Sequence, residues 1–209
     1  MLIQFNNYCK KYADSVVLNI ASLQMPKGIY WLKGINGSGK STLLKSLSGI
    51  IPFEGSVTIT GVDVKRDKRA HRKIVNYAEA EPVYPDFLTG KDIIQLYTET
   101  KGDNDRHAQL AEAFQLTGAV HQQTGTYSSG MLKKLSLICA FLGTSDLILL
   151  DEPLITLDAQ AITTTLLLIE EHFQKGVSFI ITSHQDVDFP NHNLPLNVIQ
   201  IENKTLVSV

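Results

Sequence analysis

The sequence has little cysteine: two in 209 residues, Cys9 and Cys139, far apart and the second inside the apolar run "LSLICAFLG". So few thiols leave little basis for a disulfide framework or a metal site, and a reducing cytoplasm is the expected compartment. Charge of one sign is also lacking. Lys and Arg number 19 against 21 Asp and Glu, with no long run of either. That balance gives no footprint for gripping nucleic acid or anionic lipid, so no nucleic-acid partner is expected. No stretch approaches the ~20 uninterrupted apolar residues of a membrane span. The start "MLIQFNNYCKKYAD" lacks the basic, apolar and small-residue sequence of a secretory leader. Work at a membrane would need another chain to supply the span. Internal repeats and low-complexity segments are missing as well.

What is present is ordinary globular material, 44% hydrophobic, enough for one sizeable core. "LIQF" and "VVLNI" alternate as short strands, "GIYWLKG" is an apolar strand stopping at glycine, and "SVTITG" is another strand. From about Lys91 to Ala119 the spacing turns helical in "KDIIQLYTETKG" and "RHAQLAEAFQLTG", each closing on glycine. "DLILLDEP" and "VSFIITSH" are short apolar runs separated by the helical stretch "DAQAITTTLLLIEEHFQKG". That order predicts parallel strands buried on both faces with a crossover helix. The tail "NVIQIENKTLVSV" predicts a hairpin turning near Asn203 and Lys204.

"GINGSGKS", Gly34 to Ser41, fits G-x-x-x-x-G-K-[ST] between an apolar strand and the helical "STLLKSLSG". Glycines at such a position let backbone N–H groups wrap closely around phosphate at a helix start, where side chains would obstruct. Lys40 supplies a cation to the phosphates, and the Ser41 hydroxyl is placed to ligate Mg²⁺. The matching carboxylates come from "LILLDE": Asp151 at a strand end can hold Mg²⁺, and Glu152 can accept a proton from attacking water. His184, ending "VSFIITSH", falls at the same sheet edge, where ligands of parallel α/β sheets bind. Asp158 reads locally as a helix N-cap, which is compatible with a functional role.

With these residues in order, the chain resembles the ATP-binding-cassette ATPases over essentially its whole length. "GINGSGKST" matches their Walker A, "LILLDEP" their Walker B with the catalytic glutamate, "TLD" their D-loop and "TSH" their switch histidine. The resemblance implies an α/β fold: a P-loop NTPase core with a mainly parallel sheet, an N-terminal antiparallel β subdomain and a helical subdomain insert. One domain would span 1–209, its core formed by 1–84 and 143–209, with about 85–142 as the helical insert carrying the signature loop. It further implies ATP and Mg²⁺ as ligands, with Gly34, Asn36, Gly37, Ser38, Gly39, Lys40, Ser41 and Thr42 around the phosphates. Catalytic roles fall to Glu152, His184 and Lys40, and Asp158 joins the nucleotide contacts. The working unit would be a head-to-tail dimer sandwiching two ATP molecules, with an identical or a different cassette as the partner.

Two departures stand out. Where the family carries Leu-Ser-Gly-Gly-Gln, reaching the partner's γ-phosphate, this chain has Tyr127-Ser128-Ser129-Gly130-Met131; Ser128 and Gly130 remain. The helix that follows presents Leu132, Leu135, Cys139 and Leu142 at three- and four-residue spacing. Where the family has a glutamine leading into the helical subdomain, "YAEAEP" puts Ala80, which has no polar side chain, so Glu79 or Glu81 must substitute or nucleotide sensing weakens. An aromatic that stacks on adenine is expected upstream of Walker A, where Tyr12 falls, with Tyr8 as the alternative. The resemblance implies the separate ATPase subunit of a transporter, peripheral on the inner membrane face through a permease. Shortness and "PVYPDFLTG" favour an exporter. A non-transport cassette ATPase and an ATP-switched scaffold with weak hydrolysis are the alternatives.

Overall fold

The computed structural model describes residues 1–102, 106–183, 189 and 194–209. Strands β1 (Ile3–Tyr12) and β2 (Ser15–Met25) form a long antiparallel hairpin. β4 (Glu54–Ile59) pairs antiparallel with β1, and β5 (Val62–Asp63) with β4, giving a four-stranded sheet in the order β2-β1-β4-β5. The hairpin runs well beyond "LIQF" and "VVLNI" because its outer residues are polar. Asn6 and Asn7 are exposed, and Asn7 has a positive φ of 49° where the β1–β4 register shifts. Alternation therefore fails just where a bulge resets the register.

The second sheet holds β3 (Ile29–Lys33), β6 (Val75–Ala78), β7 (Leu147–Asp151), β8 (Ser178–Thr182), β9 (Leu196–Glu202) and β10 (Thr205–Ser208), in the order β10-β9-β3-β8-β7-β6. All its pairings are parallel except β9–β10. The last two strands are the expected tail hairpin, and Asn203 and Lys204 turn it with φ of 47° and 65°, the left-handed pair that a two-residue hairpin loop needs. β7 and β8 are buried along their whole length, and their alternate residues face different cores. Leu147 and Leu149 pack with the antiparallel sheet and helix α1 (Lys40–Leu47). Ile148 and Leu150 pack with the helices on the other face. Each such aliphatic side chain removed from water stabilises the fold by about 1.5–3 kcal/mol.

Helix α2 (Lys68–Ile74) leads into β6, and the crossover helix α6 (Ala159–Gln174) joins β7 to β8. Between β6 and β7 lie α3 (Gly90–Lys101), α4 (Arg106–Ala113) and α5 (Ser129–Ala140). Thr89 starts α3 with a reciprocal capping box to Asp92. Helix α5 differs from the single apolar stripe read in the sequence. From Leu135 onward every residue through Leu142 is buried, because α5 packs on β6, α3 and α4 at once.

Candidate nucleotide site

The C-terminal ends of β3, β8 and β7 lie side by side, with Leu32 opposite Thr182 and Thr182 opposite Asp151. The loop 34–39 leaves β3 at this edge and feeds α1. Gly34, Gly37 and Gly39 all take positive φ. At Gly39, φ of 108° together with Val17 and Leu18 within 3.4 Å of any added Cβ admits only glycine. No side chain caps α1, so its first N–H groups stay available to a ligand. Asn36, Gly37 and Ser41 are exposed at the rim, Thr42 is half-buried, and the Ser38 hydroxyl is buried with no hydrogen-bond partner. An uncapped helix start and an orphaned buried hydroxyl fit a phosphate chain.

Lys40 is buried and donates to the carbonyls of Gly34 (2.7 Å) and Ile35 (3.2 Å). Burial lowers its pKa, and the charges of Glu152 and Asp151 oppose that shift, so the loop cation and the carboxylate pair share one field. Asp151 is 2% exposed. Its Oδ1 accepts from the Thr182 hydroxyl at 2.7 Å and its Oδ2 from the Tyr77 hydroxyl at 3.3 Å. Thr182 Oγ1 in turn accepts from the Glu152 backbone N–H at 2.8 Å. Glu152 itself has a φ of 46°, a left-handed conformation costing about 1–3 kcal/mol that its surroundings impose. The oxygens of Asp151 and Ser41 are the hard donors that Mg²⁺ takes.

Ser128 caps α5, its Oγ accepting from Met131 N at 3.2 Å. A Cβ at Gly130 would stand 2.8 Å from the Thr156 carbonyl. The glycine is thus required within its own chain, by the segment that follows Glu152. Asp158 caps α6 through Ala161 N (2.8 Å) and accepts from Lys134 Nζ at 2.6 Å, both of which hold its carboxyl below the usual range, the Lys134 bond first. Tyr12 is half exposed at the end of β1, with the Lys10 ammonium 4.5 Å from its ring centre. Tyr8 is fully buried and donates to Ser46, which removes it as a stacking surface. His184 lies outside the described residues. The structure brings together Gly34 to Thr42, Asp151 and Glu152.

Several participants escaped sequence reasoning. Thr182 and Tyr77 sit in strands as ordinary core-flanking residues, and Lys133 is buried at 1% exposure with its ammonium on three carbonyls. Its only sequence signal is a lysine four residues before Leu137, on the apolar side of α5. Trp31, in β3, donates from Nε1 to the Ser183 carbonyl at 3.4 Å, and the Lys33 ammonium lies 3.6 Å from its ring centre.

Fold and site together define a nucleotide-binding α/β protein of the P-loop class. The family model described as "ABC transporter" matches residues 18–155, and the chain belongs to that family. It is an ATP-binding subunit with ATPase activity. Relatives include the cytochrome c biogenesis ATP-binding export protein CcmA of Legionella pneumophila, 30% identical over 193 residues that span 91% of this chain and 93% of that protein. The ABC transporter ATP-binding protein YybJ of Bacillus subtilis is 32% identical over 192 residues, 90% of this chain and 87% of the relative. Among solved structures, an ATP-binding subunit of an ABC transporter superposes with a TM-score of 0.87 at 23% identity, covering 100% of this chain and 90% of its own. A putative cobalt transport ATP-binding protein superposes at 0.81 with 25% identity, covering 100% and 80%. No helix among the described residues is long and apolar enough to cross a membrane.

Proposed function

We propose that this chain is the ATPase subunit of an exporter, coupling ATP binding and hydrolysis between two cassettes to a separate permease. The observation that carries the reading is the placement of the uncapped start of α1 and the Asp151–Glu152 pair in one field at one sheet edge. In this reading the backbone of 34–42 and Lys40 hold the β- and γ-phosphates. Ser41 and Asp151 would hold Mg²⁺, whose bound charge offsets that of the phosphates. Glu152 takes the proton from the attacking water as it adds to the γ-phosphorus and the bond to the β-γ bridging oxygen breaks, leaving ADP and phosphate. By its sequence position after β8, His184 takes the part of the switch histidine in this reading, and Tyr12 stacks on adenine once Lys10 yields its ring face.

Ser128 and Gly130, exposed or half-exposed at the start of α5, would close over the partner cassette's γ-phosphate. Asp158 takes a supporting part, clamped to Lys134 beside that loop. The arm 85–142 would swing as the helical subdomain on a core of 1–84 and 143–209. An export role follows the name of the Legionella relative. The permease would dock in a groove of about 610 Å³ lined by Ile50, Tyr77, Glu79, Val83, Leu96 and others. Ile50, Val83 and Leu96 are exposed there, and Tyr77 joins the groove to Asp151. The chain would thereby sit on the cytoplasmic face of the membrane.

Light scattering of Glu152→Gln protein with and without Mg-ATP tests the sandwich. An ATP-dependent shift from monomer to dimer supports closure by two copies of this chain. A persistent monomer that still binds ATP shifts the reading to a different cassette as partner.

A further inference from the structure

The Lys133 ammonium stands where β6 and β7 part. Their ladder ends with Ala78 opposite Leu150, so the carbonyls beyond it have no strand partner across the gap. Lys133 Nζ takes three of them: Glu79 at 2.7 Å, Asp151 at 2.9 Å and Ala80 at 3.1 Å. Its three protons are thereby all given to backbone oxygens. Among the described residues no carboxylate pairs with it. The charges of Asp151, Glu152, Glu79 and Glu81 favour the ammonium, but its direct contacts are all carbonyls, and a buried charge is costly unless its hydrogen-bond geometry is complete. The next residue, Lys134, grips Asp158 at 2.6 Å, and Gly130 packs on the Thr156 carbonyl. The segment 151–158 is therefore held at both ends by adjacent lysines of one helix turn, two turns or less from Ser128.

We propose that Lys133 is a positioning residue for ATP hydrolysis, tying the start of α5 to the strand ends that carry Asp151, Glu152 and Ala80. The proposal rests on the reading of Glu152 as general base. The tether accounts for Ala80: this chain links the turn at residue 80, two residues past β6, to the carboxylates by its main chain, where an alanine side chain offers nothing. It also makes the 128–130 loop and Glu152 move as one body, so that closure over a neighbour's phosphate and alignment of the base are a single event. Lys133 touches neither substrate nor metal in this scheme.

The test compares Lys133→Met and Lys133→Arg in the full chain by steady-state phosphate release and by amide hydrogen exchange. For Lys133→Met, kcat falls by about a hundredfold, the scale of an ångström's misplacement, while KM for Mg-ATP stays within about threefold. Peptides covering 79–82 and 151–158 exchange faster and α1 does not, as local opening demands. Lys133→Arg, which keeps a cation and donors, recovers most of the turnover and the protection. Unchanged turnover and exchange overturn the proposal, as does faster exchange throughout the chain that arginine fails to correct. Should Lys133→Met not fold, Lys133→Gln gives the same two readouts. Wild-type protein without phosphate release would sink the general-base reading, while the local exchange pattern would still decide the tether.

Discussion

Thr182 does two jobs with one hydroxyl, donating to Asp151 Oδ1 and accepting from Glu152 N. Thr182→Val keeps the shape and removes both bonds, leaving a buried acceptor and donor unmet at about 1–3 kcal/mol. Urea unfolding should register that loss, with a fall in turnover beyond it, since the backbone of Glu152 is no longer held. Glu152→Gln removes the proton acceptor and nothing of the phosphate loop. Turnover should fall by about two orders of magnitude or more with ATP affinity retained in equilibrium titration; near-normal phosphate release would remove Glu152 from the chemistry. At this scale the phosphate loop was legible because glycine, lysine and serine spacing has a backbone cause. Thr182, Tyr77 and Lys133 were not, because a lysine in a sequence reads as a solvent-facing residue until three carbonyls are seen around it.

Helix α5 and the segment after β7 meet where Gly130 faces Thr156. Gly130→Ala pushes a Cβ to 2.8 Å from that carbonyl, so the segment 154–158 must give way. Circular dichroism should show the helix retained, while turnover and ATP-driven dimerisation fall together; an alanine variant that hydrolyses and dimerises normally would mean the contact is slack. The elements themselves divide by how they announce their burial. β7 and β8 were plain because their fully buried runs are almost wholly apolar, the crossover helix α6 because its buried positions Ala161, Thr165, Leu166, Ile169 and His172 recur at helical spacing, and the tail hairpin because its turn residues stand between two short strands. α2 and β6 went unread: β6 is four residues long and carries Asn76, whose side-chain amide donates to the carbonyls of Ala140 (2.7 Å) and Leu142 (3.0 Å). A buried asparagine serving the end of α5 breaks any hydrophobic pattern. Tertiary partners far along the chain supply what local sequence lacks.

Over the whole molecule, alkaline pH probes how the cores hold their polar groups. Burial pushes the hydroxyls of Tyr8 and Tyr97 up to about 12 and those of Tyr77 and Tyr84 higher still. Above about pH 10 the unfolded chain sheds protons that the folded chain keeps, so these groups make stability fall as pH rises. Lys101 and Lys133 act oppositely: burial brings both down to about 8, so between about pH 8 and 10.4 the unfolded chain holds more protons and stability rises. Urea unfolding should therefore strengthen from pH 8 toward 10 and weaken beyond, with part of the tyrosinate absorbance appearing only on unfolding. Ionisation of all seven tyrosines near pH 10 in the folded protein would contradict the burial. Trp31 has a different consequence. It is the sole tryptophan, with its indole N–H on the carbonyl of Ser183, just past β8, and the ammonium of Lys33, next to Gly34, over its ring. Nucleotide entering the loop is expected to displace Lys33 from the ring, and any shift of the chain just past β8 would change the indole's acceptor. The chain thus carries its own fluorophore at the junction of both movements, and unlabelled protein mixed with ATP in a stopped-flow instrument should signal each step of the cycle by its own emission.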